Sequence, residues 1–97
     1  MKKWRDIKQG DIVYRWFWTS VFGNEYYECE VLTIIPNDYF EHTYHVVVRT
    51  KTKNQSIFTF IADANRNFAR NREFFSGFFI DEKDMKRKHN DIRRLYC

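Results

Sequence analysis

The stretch Phe74-Phe75-Ser76-Gly77-Phe78-Phe79-Ile80 decides how this chain is organised. It places four phenylalanines around one glycine, and Asp81, which follows it, is typical of a helix start. Successive residues of a strand point to opposite faces, so Phe78 and Phe79 belong to different sides. We expect one side to close a small barrel and the other to lie under the following helix, with Gly77 letting that helix come close.

Upstream of this stretch, alternating apolar residues and short turn sequences predict an antiparallel sheet. Four strands are predicted, at Ile12–Trp18, Tyr26–Ile35, Thr43–Thr50 and Ser56–Ala62. The phenylalanine strand is the fifth. The first carries aromatic residues on both faces, which indicates a strand that is covered on both sides. One face of the second strand carries glutamates at its start and apolar residues at its end, which is typical of a strongly bent barrel strand. Residues 63–73 are predicted to form a loop or a short helix.

Downstream, the spacing predicts one amphipathic helix over residues 82–96, with Asp81 as its N-cap. Its apolar stripe contains Met85, and its opposite face carries lysines and arginines. Glu82 and Lys86 are four residues apart in the orientation that favours an ion pair.

These elements predict a single α+β domain over residues 1–97, with strands within 11–80. The expected architecture is a five-stranded antiparallel meander or partly open SH3-like barrel, with the C-terminal amphipathic helix packed on it. The opening Gly10-Asp11-Ile12-Val13-Tyr14 resembles that of SH3-like small barrels, the Tudor, chromo-like and KOW group. The resemblance would span Asp6 to about Ile80. It implies a binding module for nucleic acid or peptides.

Composition narrows the class of protein further. The chain has 97 residues, 20% of them aromatic, and only 3 glycines and 1 proline, which argues against disorder. Its two cysteines, Cys29 and Cys97, do not make a disulfide framework, so a reduced, cytoplasmic setting is expected. The N-terminal residues lack the apolar run of a signal peptide, and we expect no membrane-spanning segment.

The net charge of +4 lies entirely in the last third of the chain. Residues 1–65 contain 8 Lys/Arg and 8 Asp/Glu, whereas residues 66–97 contain 9 and 5. Clustered cations favour phosphate groups or acidic surfaces as partners. The candidate binding residues are Arg66, Arg70, Arg72, Lys83, Lys86, Arg87, Arg93 and Arg94.

Catalytic and metal sites are not expected. His42 and His45 are three residues apart, which puts them on opposite faces of a strand rather than around one metal. The acidic spacing that begins at Asp63 lacks the glycine and glutamate of a calcium loop. No phosphate loop or nucleophile motif is present, so we predict a non-enzymatic protein without a cofactor.

Two functions of different class remain. The first is a small protein that contacts nucleic acid or a nucleoprotein through its basic C-terminal face. The alternative is a protein–protein inhibitor or adaptor that docks on an acidic surface of a host machine. In size and composition the chain is similar to small phage-encoded anti-defence proteins such as the anti-CRISPRs. A homodimer formed through exposed aromatics of Phe74–Phe79 is a further alternative.

Overall fold

Six strands dominate the residues that the computed structural model describes, which are 2–70 and 76–87. They are β1 (Ile12–Thr19), β2 (Gly23–Pro36), β3 (Thr43–Thr50), β4 (Ile57–Asp63), β5 (Phe68–Arg70) and β6 (Ser76–Phe79). A 3₁₀ turn at Trp4–Asp6 precedes them. A helix, α1, occupies residues 82–87, where the described range ends. Residues 88–96 of the predicted helix, and Phe74 and Phe75, lie outside the described ranges. Among the described residues, no helix has the length and apolar character needed to cross a membrane.

The strands form one antiparallel sheet in the order β4-β3-β2-β1-β6-β5. The first four strands make the expected meander, and β6 then pairs with the free side of β1. The terminal strands β4 and β5 approach each other, so the sheet curls into a nearly closed small barrel. The small barrel was predicted correctly, but the predicted number of five strands was wrong.

The additional strand is β5, which lies in a stretch predicted to be a loop or short helix. Phe68, Ala69 and Arg70 pair with Phe79, Phe78 and Gly77 of β6. The strand has only three residues, so it is too short to show the alternation that identifies a strand in a sequence. The pairing with β6 sets which face each residue of β5 occupies.

A β-bulge in β2 explains why one face of this strand carries glutamates at its start and apolar residues at its end. The pairing with β3 shifts register between Val31 and Thr33. The extra residue, Leu32, reverses the alternation, so Cys29 and Val31 point into the barrel before the bulge and Ile34 points into it afterwards. Without the bulge, strict alternation along the strand would put Ile35, which is 52% exposed, on the same face as the buried Cys29.

The described residues form two apolar cores, which lie on opposite faces of the sheet. The barrel interior holds Phe78, whose ring stacks on Phe60 with centroids 3.9 Å apart. The second core lies outside the barrel, where Trp16 and Phe79 pack against Met85 of α1. The prediction that Phe78 and Phe79 serve different sides is therefore confirmed. Tyr14, Trp18, Tyr26 and Phe68 complete the outer core.

Gly77 does permit a close approach, but the approaching group is not α1. A Cβ at this position would overlap Phe68 Cε2, and it would lie 2.9 Å from Phe68 Cζ and 3.1 Å from the carbonyl oxygen of Ala69. Because Phe68 belongs to the neighbouring strand β5, Gly77 allows that ring to lie across β6 and reach the outer core.

Candidate nucleic-acid interface

The N-terminal segment is fastened to the barrel by Trp4. Its ring is fully buried and meets Phe60 edge-on at 5.3 Å between centroids. The backbone N–H groups of Trp4 and Arg5 donate to the carbonyl oxygens of Arg66 (2.9 Å) and Ala64 (3.1 Å). The segment that carries Lys2, Lys3 and Arg5 is consequently held against the turn between β4 and β5.

The same turn contacts the start of α1. Asp81 caps the helix as predicted, because its Oδ1 accepts a hydrogen bond from the Lys83 N–H (2.8 Å) and its carbonyl oxygen accepts one from the Met85 N–H. Asn67 of the turn donates from Nδ2 to Asp84 Oδ2 (3.0 Å), while Arg87 pairs with the other oxygen of Asp84 (2.9 Å).

Cations of three separate segments therefore meet at one corner of the molecule. This surface, called the basic corner below, comprises Lys2, Lys3, Arg5, Arg66, Lys83, Lys86 and Arg87. Arg70 is not part of it, because it ends β5 opposite Gly77, three residues beyond Asn67. Of the other predicted binding residues, Arg72, Arg93 and Arg94 lie outside the described ranges.

Acidic neighbours compensate part of the charge. Arg66 pairs with Asp63 (3.7 Å), Lys86 pairs with Glu82 (3.1 Å) as the spacing predicted, and Arg87 pairs with Asp84. The cationic side chains of these pairs are 58–76% exposed, and exposed pairs contribute only about 0–1 kcal/mol. Lys2, Lys3 and Lys83 make no ion pair with any described residue. These three lysines can meet an anion without giving up a carboxylate.

A groove of about 410 Å³ runs into the basic corner. Lys2 and Lys83 line it together with Tyr14, Ile80, Asp81 and Glu82. Burial raises the pKa of Tyr14, and the nearby carboxylates of Glu28, Glu82 and Asp81 raise it further. Tyr14 therefore remains a neutral hydroxyl at physiological pH and offers both a donor and an acceptor.

Apolar side chains are exposed elsewhere, at the tip of the β1–β2 hairpin. Phe22 is 75% exposed, and its neighbour Val21 is exposed as well. The tip is ordered by Gly23, whose φ is 71°, and by the Phe22 N–H, which donates to Thr19 Oγ1 (3.0 Å). This tip is a second surface with the character of a binding site.

Sequence reasoning missed the N-terminal half of the basic corner. Residues 1–65 are neutral as a whole, and that sum hid the local run Lys2-Lys3-Trp4-Arg5. A tryptophan within a basic run was the available signal, since a buried aromatic fixes the position of charges beside it. The partner of that aromatic, Phe60, lies 56 residues away, and no local pattern connects the two.

Comparison with protein-family models, with curated proteins and with solved structures found no match to this chain.

Proposed function

We propose that the protein is a non-enzymatic nucleic-acid-binding module that contacts the phosphate backbone through the basic corner. The observation that carries this proposal is the anchoring of Trp4, which brings the N-terminal cations beside those of the turn and α1. An SH3-like character of the nearly closed barrel is part of the same proposal, since small barrels of that group bind nucleic acid or peptides.

The chemistry supports a phosphate contact rather than recognition of bases. Lys2, Lys3 and Lys83 are point charges on flexible chains, and they neutralise phosphates without reading a sequence. Trp4, which lies between Lys3 and Arg5, is fully buried and cannot stack on a base. Binding should therefore be insensitive to sequence and should weaken steeply with salt.

The test is a fluorescence-anisotropy titration of labelled DNA duplex, single strand and RNA between about 50 and 200 mM salt. K2A/K3A should weaken binding at least about tenfold and reduce the slope of log K against log salt by about 1–2. The matched control is K51A/K53A, which removes two lysines from the distant β3–β4 loop and should leave the slope unchanged. Absence of binding at low salt would exclude the proposed function. Equal losses of affinity in the two variants would show that binding depends on net charge and not on the basic corner.

The hairpin tip favours a second candidate, a protein–protein inhibitor or adaptor such as an anti-defence protein docking on a host machine. Val21 and Phe22 would enter an apolar pocket of the partner, and the cations would meet its acidic rim. A pull-down from nuclease-treated host lysate tests this candidate. A partner that is retained by the wild type and by K51A/K53A, but lost with V21S/F22S, would support it.

A further inference from the structure

The outer face of β2, β3 and β4 concentrates the exposed apolar surface of the molecule. Seven large apolar side chains are exposed among the described residues, and five of them lie on this face or in the β2–β3 loop beside it. They are Ile35, Ile57, Ile61, Tyr39 and Phe40. Tyr39 is 90% exposed. A small protein rarely leaves so many neighbouring apolar groups in water without covering them with a partner.

The register places the exposed isoleucines in adjoining outward rows, one of which also holds an ion pair: Ile57 lies beside Arg49, which pairs with Glu30 (3.1 Å). Ile35, His45 and Ile61 are direct neighbours across the three strands, and Val47 lies opposite Thr59 in the next outward row. Along β4 the outward positions read Ile57, Thr59, Ile61, and the strand carries no charge from Ile57 to Ala62. Edge strands of proteins that stay monomeric usually carry proline or charged residues, lysine above all, which prevent association with another chain.

Hydrogen bonds fix the backbone of the loop that carries Tyr39 and Phe40. The Tyr39 N–H donates to Asn37 Oδ1 (3.0 Å), and Thr43 Oγ1 donates to the carbonyl oxygen of Phe40 (2.8 Å). The Asn37 N–H also donates to the carbonyl oxygen of Thr43 (2.9 Å). Because the loop's backbone is ordered before binding, burying the two rings would cost the conformational entropy of their side chains only.

Charges at the two ends of the face indicate what covers it. The end beside Tyr39 and Phe40 carries Asp38 and Glu41, and the opposite end carries Lys51 and Lys53 of the β3–β4 loop; all four are exposed. None of the four makes an ion pair within the described part of the chain. Glu41 lies six residues before Val47 and Lys53 six residues after it, so the two ends of the face differ in sign. The Arg49–Glu30 ion pair, which is neutral as a whole, lies on the face between Val47 and the basic end.

We propose that a second copy of this chain covers the face in a two-fold symmetric dimer. The axis lies in the interface, perpendicular to the strands, at the level of Val47 and Thr59. This rotation reverses the strands, so Ile61 meets the partner's Ile57, and the acidic end of each copy meets the basic end of the other. Such a surface is complementary to itself, as a two-fold interface must be.

The area of the face determines how tightly the two copies should bind each other. Three strands of seven residues cover roughly 14 Å by 23 Å, to which the aromatic loop adds. This area is smaller than that of standard stable complexes, which bury about 800 Å² per partner, so the dimer should be weak and should dissociate on dilution. The basic corner is built from other elements, and this inference therefore stands independently of the proposed nucleic-acid function.

The experiment is sedimentation equilibrium of the full chain over a wide concentration range. The wild type should pass from 12.0 kDa towards twice that mass as concentration rises. I61E should remain at the monomer mass, and V21E, which adds the same charge at the hairpin tip, should dimerise normally. Circular dichroism establishes that both variants are folded.

A charge exchange tests the orientation of the two copies. E41K and K53E should each raise the dissociation constant roughly tenfold, because each places like charges together at both ends. The double variant E41K/K53E should restore most of the loss, since the opposite signs face each other again. A wild-type chain that is monomeric at every concentration would overturn the proposal. So would a dimer that survives I61E, or single-variant losses that the double variant fails to restore.

Discussion

Gly77 carries a constraint that a single methyl group would violate. The ring of Phe68 occupies the space beside its Cα, so Gly77→Ala must push that ring out of the outer core or shift β5. Overpacking of this kind costs about 1–3 kcal/mol. We expect the free energy of unfolding, measured by urea denaturation, to fall by that amount.

The neighbouring ring provides the control for this prediction. Phe68→Leu shortens the side chain that meets the new methyl group, so Gly77→Ala should cost less in that background than in the wild type. A double-mutant cycle measures the difference, which should be at least about 0.5 kcal/mol. Simple additivity of the two changes would show that another neighbour limits the space at Gly77.

Cys29 is a buried thiol whose chemistry the fold suppresses. It is fully buried beside Val13, and burial raises the pKa of its thiol from 9.0 to about 11, partly opposed by Arg15. The shift lowers the thiolate fraction near neutral pH by roughly 100-fold. In a Cys97→Ser background, where Cys29 is the remaining cysteine, the folded protein should react with a thiol reagent far more slowly than the urea-unfolded protein. Equal rates would contradict a buried thiol.

The same pKa shift makes stability depend on pH in a defined direction. Below about pH 9 the thiol is protonated in both states and contributes no dependence. Between pH 9 and 11 the unfolded chain loses the proton and the folded chain keeps it, so the free energy of unfolding must fall as pH rises. Cys29→Ala removes this contribution, and the fall between pH 9 and 11 should be shallower in that variant than in the wild type.

At the scale of the element, α1 depends on its N-cap. Asp81 satisfies the N–H of Lys83, and Met85 anchors the first turn in the outer core. Asp81→Ala leaves that N–H without its acceptor and should lower stability by about 0.5–2 kcal/mol. Asp81→Asn keeps the acceptor and should retain most of the stability. An equal loss in both variants, measured by urea denaturation, would assign the effect to the charge rather than to the hydrogen bond.

How far each element could be predicted depended on its length and on the origin of its pattern. The bounds of β3 were predicted without error, and β1 is longer by one residue, because alternation over eight residues is a strong local signal. By contrast, β5 owes its existence to pairing with β6, and the bulge at Leu32 depends on how β2 bends between two partners. Such features come from tertiary pairing, which the alternation in one strand does not encode.

In the candidate site, too, features set by local spacing were predicted, and features set by distant contacts were not. The cap at Asp81 and the Glu82–Lys86 pair follow from local spacing, and both were predicted. The N-terminal cations were not, because their position depends on the distant contact between Trp4 and Phe60. Arg15 shows a related limit: its guanidinium lies 4.4 Å from the ring centroids of both Phe17 and Phe58, so a charged residue occupies a position that alternation assigns to the barrel interior.

At the scale of the whole molecule, packing rather than a continuous ladder joins the two ends of the sheet. Within the described ranges β5 pairs only with β6, and β4 pairs only with β3. The seam between these ends is bridged inside the barrel by Phe60, which stacks on Phe78 and meets the ring of Trp4. Contacts of this kind are individually weaker than a strand ladder and can open locally.

Hydrogen exchange should therefore reveal the seam as the first part of the sheet to open. The β5 amides that bond to β6 should exchange through an opening of lower free energy than those of β2 and β3, which exchange only on global unfolding. Phe60→Leu removes an aromatic pair worth about 1 kcal/mol and should speed exchange in β5 about fivefold under conditions where β5 opens separately. Ile57→Ala, on the outer face of the same strand, should leave the seam unchanged. Protection of β5 equal to that of β3 would mean that the barrel opens as one cooperative unit.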